Sequence, residues 1–307
     1  MNKYTTLDSY DKNGFIIIKN FLEEPKANEY AKQLSLYMNP KKGKANKVEV
    51  KNARLYPSNI IKNFPSILEI QKNSKFIKIL KNLFFKSPTI IQSLQLYFNV
   101  HDAGWHIDSQ SQLRHREYNP SLSINNYKLA KVGVYLSNST KGSTLPSINL
   151  IKGSHKLPLF MHKLIHTLLI KFKNFRRFLD YISIDVGKYI SQGDAVIFSH
   201  HLWHRSSIIN KKNPKNINDK CVFYFEVGEL NTAESFLKHN FVRSIFFEDF
   251  QSSGENYWCD YMRPGFSKDI KNHLDELSML GISTPYLNSQ LALDYLEKLN
   301  MIIKKNQ

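Results

Sequence analysis

Between Thr89 and Val227 the chain repeats one local pattern: a short run of β-branched and aromatic residues, then a cluster rich in Gly, Asn, Ser or Lys. The runs are Thr89–Val100 (TIIQSLQLYFNV), Ala130–Leu136, Ser147–Ile151, Ala195–Phe198 and Cys221–Val227. Branched and ring side chains suit a pleated surface, and the clusters between them supply turns. In the second run Ala130, Val132, Val134 and Leu136 alternate with Lys131, Gly133 and Tyr135, the two-residue period of a strand. Several short strands separated by loops point to an antiparallel barrel or jelly roll.

Helical periodicity flanks and interrupts these strands. Gly14–Leu22 (GFIIIKNFL) reads as a short buried strand, and Pro25 then takes the first-turn position of a helix. Ala27, Tyr30, Ala31, Leu34 and Met38 carry that helix to about Asn39, where Pro40 stops it, and Pro40–Asn52 reads as an exposed loop. A second helical region follows Pro65. Within the β region Met161, Leu164, Ile165, Leu168, Leu169, Phe172, Phe175 and Leu179 make one apolar helical face, with His162, Lys163, His166, Lys173, Arg176 and Arg177 opposite. Asp269–Leu280 and Ser289–Asn300 read as closing helices. The expected organisation is a single domain over 1–307: an N-terminal strand and helices (1–88), a β core (89–228) with a helical insertion near 158–180, and a mostly helical extension (229–307).

Composition narrows the class. Hydrophobic residues make up 42% and aromatics 13% of 307 residues, enough for a packed core. The formal charge of +17 raises a nucleic-acid partner, but the lysines are scattered and no nucleic-acid motif accompanies them, so such a partner is not expected. An anionic substrate or an anionic membrane surface is the better use of that charge, and the basic helix near 161–179 is the candidate for peripheral membrane contact. No apolar run approaches membrane-spanning length, and Met1–Gly14 lacks the apolar core of a targeting segment. Two cysteines, Cys221 and Cys259, form no disulfide framework or zinc motif, which fits a reduced compartment. The expected location is the cytoplasm.

The chemistry concentrates in Gly104-Trp105-His106-Ile107-Asp108. Residues two apart on a strand share a face, so His106 and Asp108 can offer an imidazole nitrogen and a carboxylate oxygen to one metal ion. Two histidines and one carboxylate on one side of an ion, with the opposite side open, is the arrangement of mononuclear non-heme iron(II) oxygenases. The third ligand is sought in Gly193-Asp194-Ala195-Val196-Ile197-Phe198 and the following Leu202-Trp203-His204-Arg205. His204 is the candidate, with His200 and His201 as rivals.

Four segments in this order, GFIIIKNFL, WHID, LPSINLIKGSHK and GDAVIFSHHLWHRSS, resemble the phytanoyl-CoA dioxygenase family of iron(II)/2-oxoglutarate oxygenases, from about Asp8 to Gly228. The resemblance implies a mainly β fold with flanking helices around a double-stranded β-helix (jelly-roll, cupin-like) core. It implies His106, Asp108 and His204 as ligands to Fe(2+). It further implies 2-oxoglutarate as cosubstrate, O2 as oxidant, and hydroxylation of a small organic substrate with release of succinate and carbon dioxide. Relatives that halogenate lack the carboxylate ligand, so Asp108 favours hydroxylation.

Family members place an arginine after the distal histidine to anchor 2-oxoglutarate, and this sequence departs from that pattern. Lys220 is the candidate cation, with Arg205 as the fallback; a lysine brings the charge without the bidentate fork of arginine. Tyr97 and Asn99 share a strand face and could hydrogen-bond the cosubstrate. Gln110, His115 and Arg116 follow the WHID motif in the region that relatives turn toward substrate. An Arg and a His there suit an anionic or amphiphilic substrate. The alternative is a non-catalytic jelly roll that binds an anionic ligand or partner.

Overall fold

The computed structural model describes residues 4–38, 53–55, 65–98, 104–109, 128–137, 147–207, 221–233 and 268–284. The loop expected over Pro40–Asn52, the helix expected over Ser289–Asn300 and Cys259 lie outside them. In chain order the elements are a helix Leu7–Asn13, β1 (Phe15–Ile18), a helix Glu24–Met38, β2 (Ala53–Leu55), a 3-10 segment Pro65–Lys72, a helix Ser74–Leu83, β3 (Pro88–Phe98), β4 (Leu129–Tyr135) and β5 (Ile148–Leu150). Helices Leu159–Lys171 and Lys173–Ile182 follow, then β6 (Ile184–Asp185), β7 (Ala195–Ser199), β8 (His204–Ser206), β9 (Cys221–Glu229) and a helix Lys268–Met279. Each apolar run expected to be extended contains a strand. β2, β6 and β8 went unexpected because two or three residues are too few to show a period.

The strands form a six-stranded sheet, in the order β1-β7-β4-β9-β3-β2, and a three-stranded sheet, β6-β5-β8. The pairs β1–β7, β2–β3, β4–β7, β5–β6 and β5–β8 run antiparallel. An antiparallel bridge between His106 and His204 brings the WHID segment beside β8. From β3 onward the chain therefore crosses back and forth. β3, β4, β7 and β9 belong to the large sheet, and the His106 segment, β5, β6 and β8 to the small one. That winding is a double-stranded β-helix, so the fold is mainly β with flanking helices around a jelly-roll core.

By its internal contacts the chain divides into two compact units, residues 1–55, 94–114 and 130–225, and residues 56–93, 115–129 and 226–307. In the first unit Phe15 and Ile17 of β1, Val196 and Phe198 of β7, and Ile148 and Leu150 of β5 share one buried cluster, so the two sheets face each other across it. Each such side chain contributes about 1.5–3 kcal/mol when fully buried. The small sheet has a second covered side. There Trp105, Ile107 and Trp203 pack against Leu169 and Leu179 of the paired helices. In the second unit Asn73 caps the helix Ser74–Leu83 by accepting from Phe76 N at 3.1 Å, and that helix buries Phe76, Ile77 and Leu80. The helix Lys268–Met279 is tied in by Gln71–His273 at 2.9 Å and by Lys72 with Glu276. Among the described residues no helix is long and apolar enough to cross a membrane.

The paired helices differ from the single amphipathic helix that periodicity predicts. Phe172 takes an extended conformation between them (φ −125°, ψ 107°) and breaks the phase of the pattern. Leu164 and Phe172, expected on the buried face, are exposed, while His162, expected on the polar face, is buried. A specific hydrogen bond drives the second change: Trp203 Nε1–H donates to His162 Nδ1 at 3.0 Å.

The Gly193-Asp194 turn anchors β7. Gly193 has φ +82°, and a Cβ there would lie 2.4 Å from the Leu22 carbonyl oxygen, so both the backbone and the space demand glycine. The wholly buried Asp194 accepts from Asn20 N at 2.8 Å and Ser191 N at 2.6 Å, and pairs with Lys19. One carboxylate thus clamps the exit of β1 to the entry of β7. Asp194→Ala leaves these donors without their acceptor and is expected to cost about 3 kcal/mol. The check is a lower urea midpoint at unchanged m-value; a loss below about 1 kcal/mol would mean that the turn holds without the clamp.

Candidate metal centre

Strand alternation divides the WHID motif between two environments. Trp105 and Ile107 point outward into the cluster under the paired helices, and His106 and Asp108 point into the barrel. β8 repeats the division. His204 faces inward, whereas Arg205 lies on the outer side, where its guanidinium donates to Asp180 at 2.7 Å and sits over the Trp105 ring. Trp105 Nε1–H donates to the same carboxylate at 2.8 Å. The outer faces of the two segments are therefore cross-tied through Asp180, and their inner faces present the chemistry.

The inner geometry begins with the main chain. His106 N donates to His204 O and His204 N donates to His106 O, each at 2.9 Å, which sets the two rings side by side with centroids 4.2 Å apart. Each Nδ1 lies within hydrogen-bond distance of a backbone carbonyl two residues earlier, Gly104 O at 2.7 Å and Leu202 O at 2.9 Å. A carbonyl can only accept, so Nδ1 is the donor in both rings and Nε2 is the nitrogen turned away from the main chain. Those nitrogens face Asp108: His106 Nε2 is 3.9 Å from Oδ1 and His204 Nε2 is 3.7 Å from Oδ2. One donor atom from each of the three residues lies within 4.8 Å of the others, so the set could hold a metal ion. Asp108 Oδ2 is buried and accepts no hydrogen bond among the described residues.

Electrostatics keeps Asp108 ionised and His204 neutral. Burial pushes the Asp108 carboxyl up, but the Lys131 ammonium at 3.2 Å and the surrounding histidines outweigh it and hold the acid well below the usual carboxylate range. Burial and the neighbouring His106 push His204 down to about 3, so its imidazole is neutral. Lys131 is the residue beside this set that the sequence reading left out. β4 is buried on both faces, so Lys131, in phase with Gly133 and Tyr135, points inward rather than to solvent. The available signal was its company, since a Gly and a Tyr are poor residues for the exposed side of a strand. Gly133 makes room there for the Tyr224 ring, which a Cβ would meet at 2.7 Å. Lys131 lies over that ring at 5.7 Å, and Tyr97 packs on it at 5.2 Å.

The other expected site residues fall as follows. Tyr97 is on the inner wall, its hydroxyl donating to Gln95 Oε1 at 2.9 Å. His201, a rival to His204, contacts Ser109 Oγ through Nδ1 at 2.6 Å. His200, the other rival, lies outside the three-residue set but near enough to Asp108 to influence its charge. Asn99, Gln110, His115, Arg116 and Lys220 lie outside the described residues.

No protein-family model matches the sequence, and a search of curated proteins finds no match. Solved structures with a similar course of the chain include HygX of Streptomyces hygroscopicus, crystallised with nickel and 2-oxoglutarate bound (15% identity, 73% of this chain and 86% of that one, TM-score 0.45). EctD of S. alaskensis, with 2-oxoglutarate and 5-hydroxyectoine, shares 13% identity over 76% of this chain and 79% of its own (TM-score 0.48). AviO1 of Streptomyces viridochromogenes Tue57 shares 13% over 73% and 93% (TM-score 0.47).

The buried histidines carry a pH prediction. Burial pushes His162 and His200 down to about 4, and His201 and His204 to about 3, against about 6.5 in the unfolded chain. Between those values the unfolded state holds more protons, so stability rises with pH there and is lost as pH falls from about 6.5 toward 4. Asp108, lowered when folded, adds a loss in the same direction at still lower pH. The urea midpoint of the metal-free protein should fall steadily between about pH 6.5 and pH 4.5, and a flat profile would contradict neutral buried imidazoles.

Proposed function

We propose that the protein is an oxygenase that uses Fe(2+), 2-oxoglutarate and O2 to hydroxylate a small, anionic or amphiphilic substrate, releasing succinate and carbon dioxide. The observation that carries this reading is the inward set His106, Asp108 and His204, two imidazole Nε2 atoms and one ionised carboxylate whose Oδ2 accepts no hydrogen bond among the described residues. Two nitrogens and one oxygen on one side of a shared point suit iron(II) and leave the remaining positions for small molecules. The phytanoyl-CoA dioxygenase family is the assignment that the four sequence segments favour.

His106, Asp108 and His204 would hold the ion, which when bound supplies the redox chemistry between dioxygen, cosubstrate and substrate. The chain's own part is positioning. Gly104 O and Leu202 O fix the tautomer of each histidine. Lys131 keeps Asp108 charged and places a cation beside the three-residue set, where an anion would be attracted. Tyr97 and Tyr224 give that anion an aromatic wall. Arg205 is engaged with Asp180 on the opposite side of its strand, so Lys131 and Lys220 are the candidates to meet the carboxylate of 2-oxoglutarate. The presence of Asp108 favours hydroxylation over halogenation.

The Lys131–Asp108 contact also favours a second reading, since an ammonium can satisfy the buried carboxylate without a metal. The site would then be a metal-free pocket for an anionic ligand. Anaerobic titration with iron(II) and then 2-oxoglutarate separates the two. The oxygenase reading expects a visible charge-transfer band on addition of 2-oxoglutarate. It also expects loss of iron binding in His106→Ala, Asp108→Ala and His204→Ala. In Lys131→Met it expects at least about tenfold weaker 2-oxoglutarate binding with iron retained. Wild-type protein that takes up no iron would leave the metal-free reading standing, and a 2-oxoglutarate affinity lost in Lys220→Ala but not in Lys131→Met would move the anchor to Lys220.

A further inference from the structure

The paired helices Leu159–Lys171 and Lys173–Ile182 present an outer surface that the jelly roll does not use. Their inner residues are accounted for: His162, Leu169 and Leu179 are buried, and Ile165 and Phe175 pack on the cluster around Trp105 and Trp203. Their outer residues are not those of a solvated helix. Phe160 is 66% exposed, Ile170 70% and Tyr181 88%, and Leu164, Phe172 and Phe178 are also open to solvent. Isolated apolar side chains on a surface are ordinary, but several large ones on one element mark a surface built to be covered.

The charges beside them identify the cover. Lys163, Lys171, Lys173, Arg176 and Arg177 are all exposed on the same two helices. No Asp or Glu occurs between Glu117 and Asp180. The carboxylate of Asp180 is turned inward to Trp105 and Arg205, so it does not offset the outward cations. Among the described residues none of the five cations forms an ion pair. An acidic protein surface would complement the cations but not the exposed rings among them, whereas an anionic bilayer takes both: rings and aliphatic chains enter the acyl boundary, and long cationic side chains reach the headgroups. Both helices are too short and too basic to span, and their inner faces are already occupied, which suits lying in the plane of the surface.

We propose that the helices Leu159–Lys171 and Lys173–Ile182 form a peripheral docking surface for an anionic lipid bilayer. The proposal is independent of the chemistry at His106, Asp108 and His204, because it concerns only the outward residues of the helices. Its test is co-sedimentation of the full chain with vesicles of phosphatidylcholine alone and of phosphatidylcholine mixed with phosphatidylserine, at low and high salt.

The expected result is binding to the mixed vesicles, weaker at high salt and at least about tenfold weaker without phosphatidylserine. The double variants Phe178→Ser/Tyr181→Ser and Arg176→Glu/Arg177→Glu should each reduce binding by at least about tenfold with unchanged thermal unfolding, since all four side chains are exposed. Three results would overturn the proposal. The first is no binding to either vesicle. The second is binding that the Phe178/Tyr181 variant leaves intact, which would mean adsorption by net charge elsewhere on the chain. The third is a concentration-dependent dimer abolished by that same variant, which would mean that a second copy covers this face.

Discussion

Two backbone hydrogen bonds, exchanged between His106 and His204, are what the arrangement of this site depends on. They join the segment after β3 to β8, two stretches far apart in sequence, at the residues whose side chains make the candidate metal centre. The distance between the imidazoles is therefore set by the main chain and not by the rotamers of two mobile side chains. Every neighbouring interaction serves the same register. Trp105 and Arg205 meet at Asp180 on the outer face, Trp203 meets His162, and Ser109 meets His201. The helices that follow β5 thus act as an external brace for a pairing only one bridge long.

The interior then has to accommodate a charge. A carboxylate removed from water is tolerated only with a compensating partner. Asp108 has Lys131 on one oxygen and, among the described residues, no hydrogen-bond donor on the other. The asymmetry leaves half of the carboxylate ready for a cation while the whole of it stays ionised. Gly133 is part of the same solution. By yielding space to Tyr224 it lets an aromatic ring lie beneath the lysine, where the ring face stabilises the ammonium that stabilises the acid.

Much of this was legible in the chain. The apolar runs marked the longer strands, and His106, Asp108 and His204 stood out by motif. What stayed hidden has physical reasons. β2, β6 and β8 are shorter than any period can reveal. Lys131 looked like the polar half of an alternating strand because alternation separates the two faces without saying which face meets solvent, and here neither does. His162 looked like a polar-face residue because its partner in the interior, the Trp203 indole N–H, lies far along the chain. Arg205 looked like a cation near the site, and it is near, but one residue of strand pleat turns it to the far side. His204 was preferred on the sequence over His200 and His201, which lie within the same five residues, and the structure sets it, rather than either rival, beside His106 and Asp108.

The bridge also bears on how such a chain can change over generations. Because the main chain holds the two histidine positions together, the scaffold does not need imidazoles there in order to form. A single-codon replacement at position 106 or 204 would remove a candidate ligand while leaving the backbone hydrogen bonds between the two positions in place. Function and fold are thus inherited separately at this spot. A descendant could lose the proposed chemistry in one step and persist as a stable barrel, or regain it as easily, with Lys131 already on hand to neutralise Asp108 in the interval.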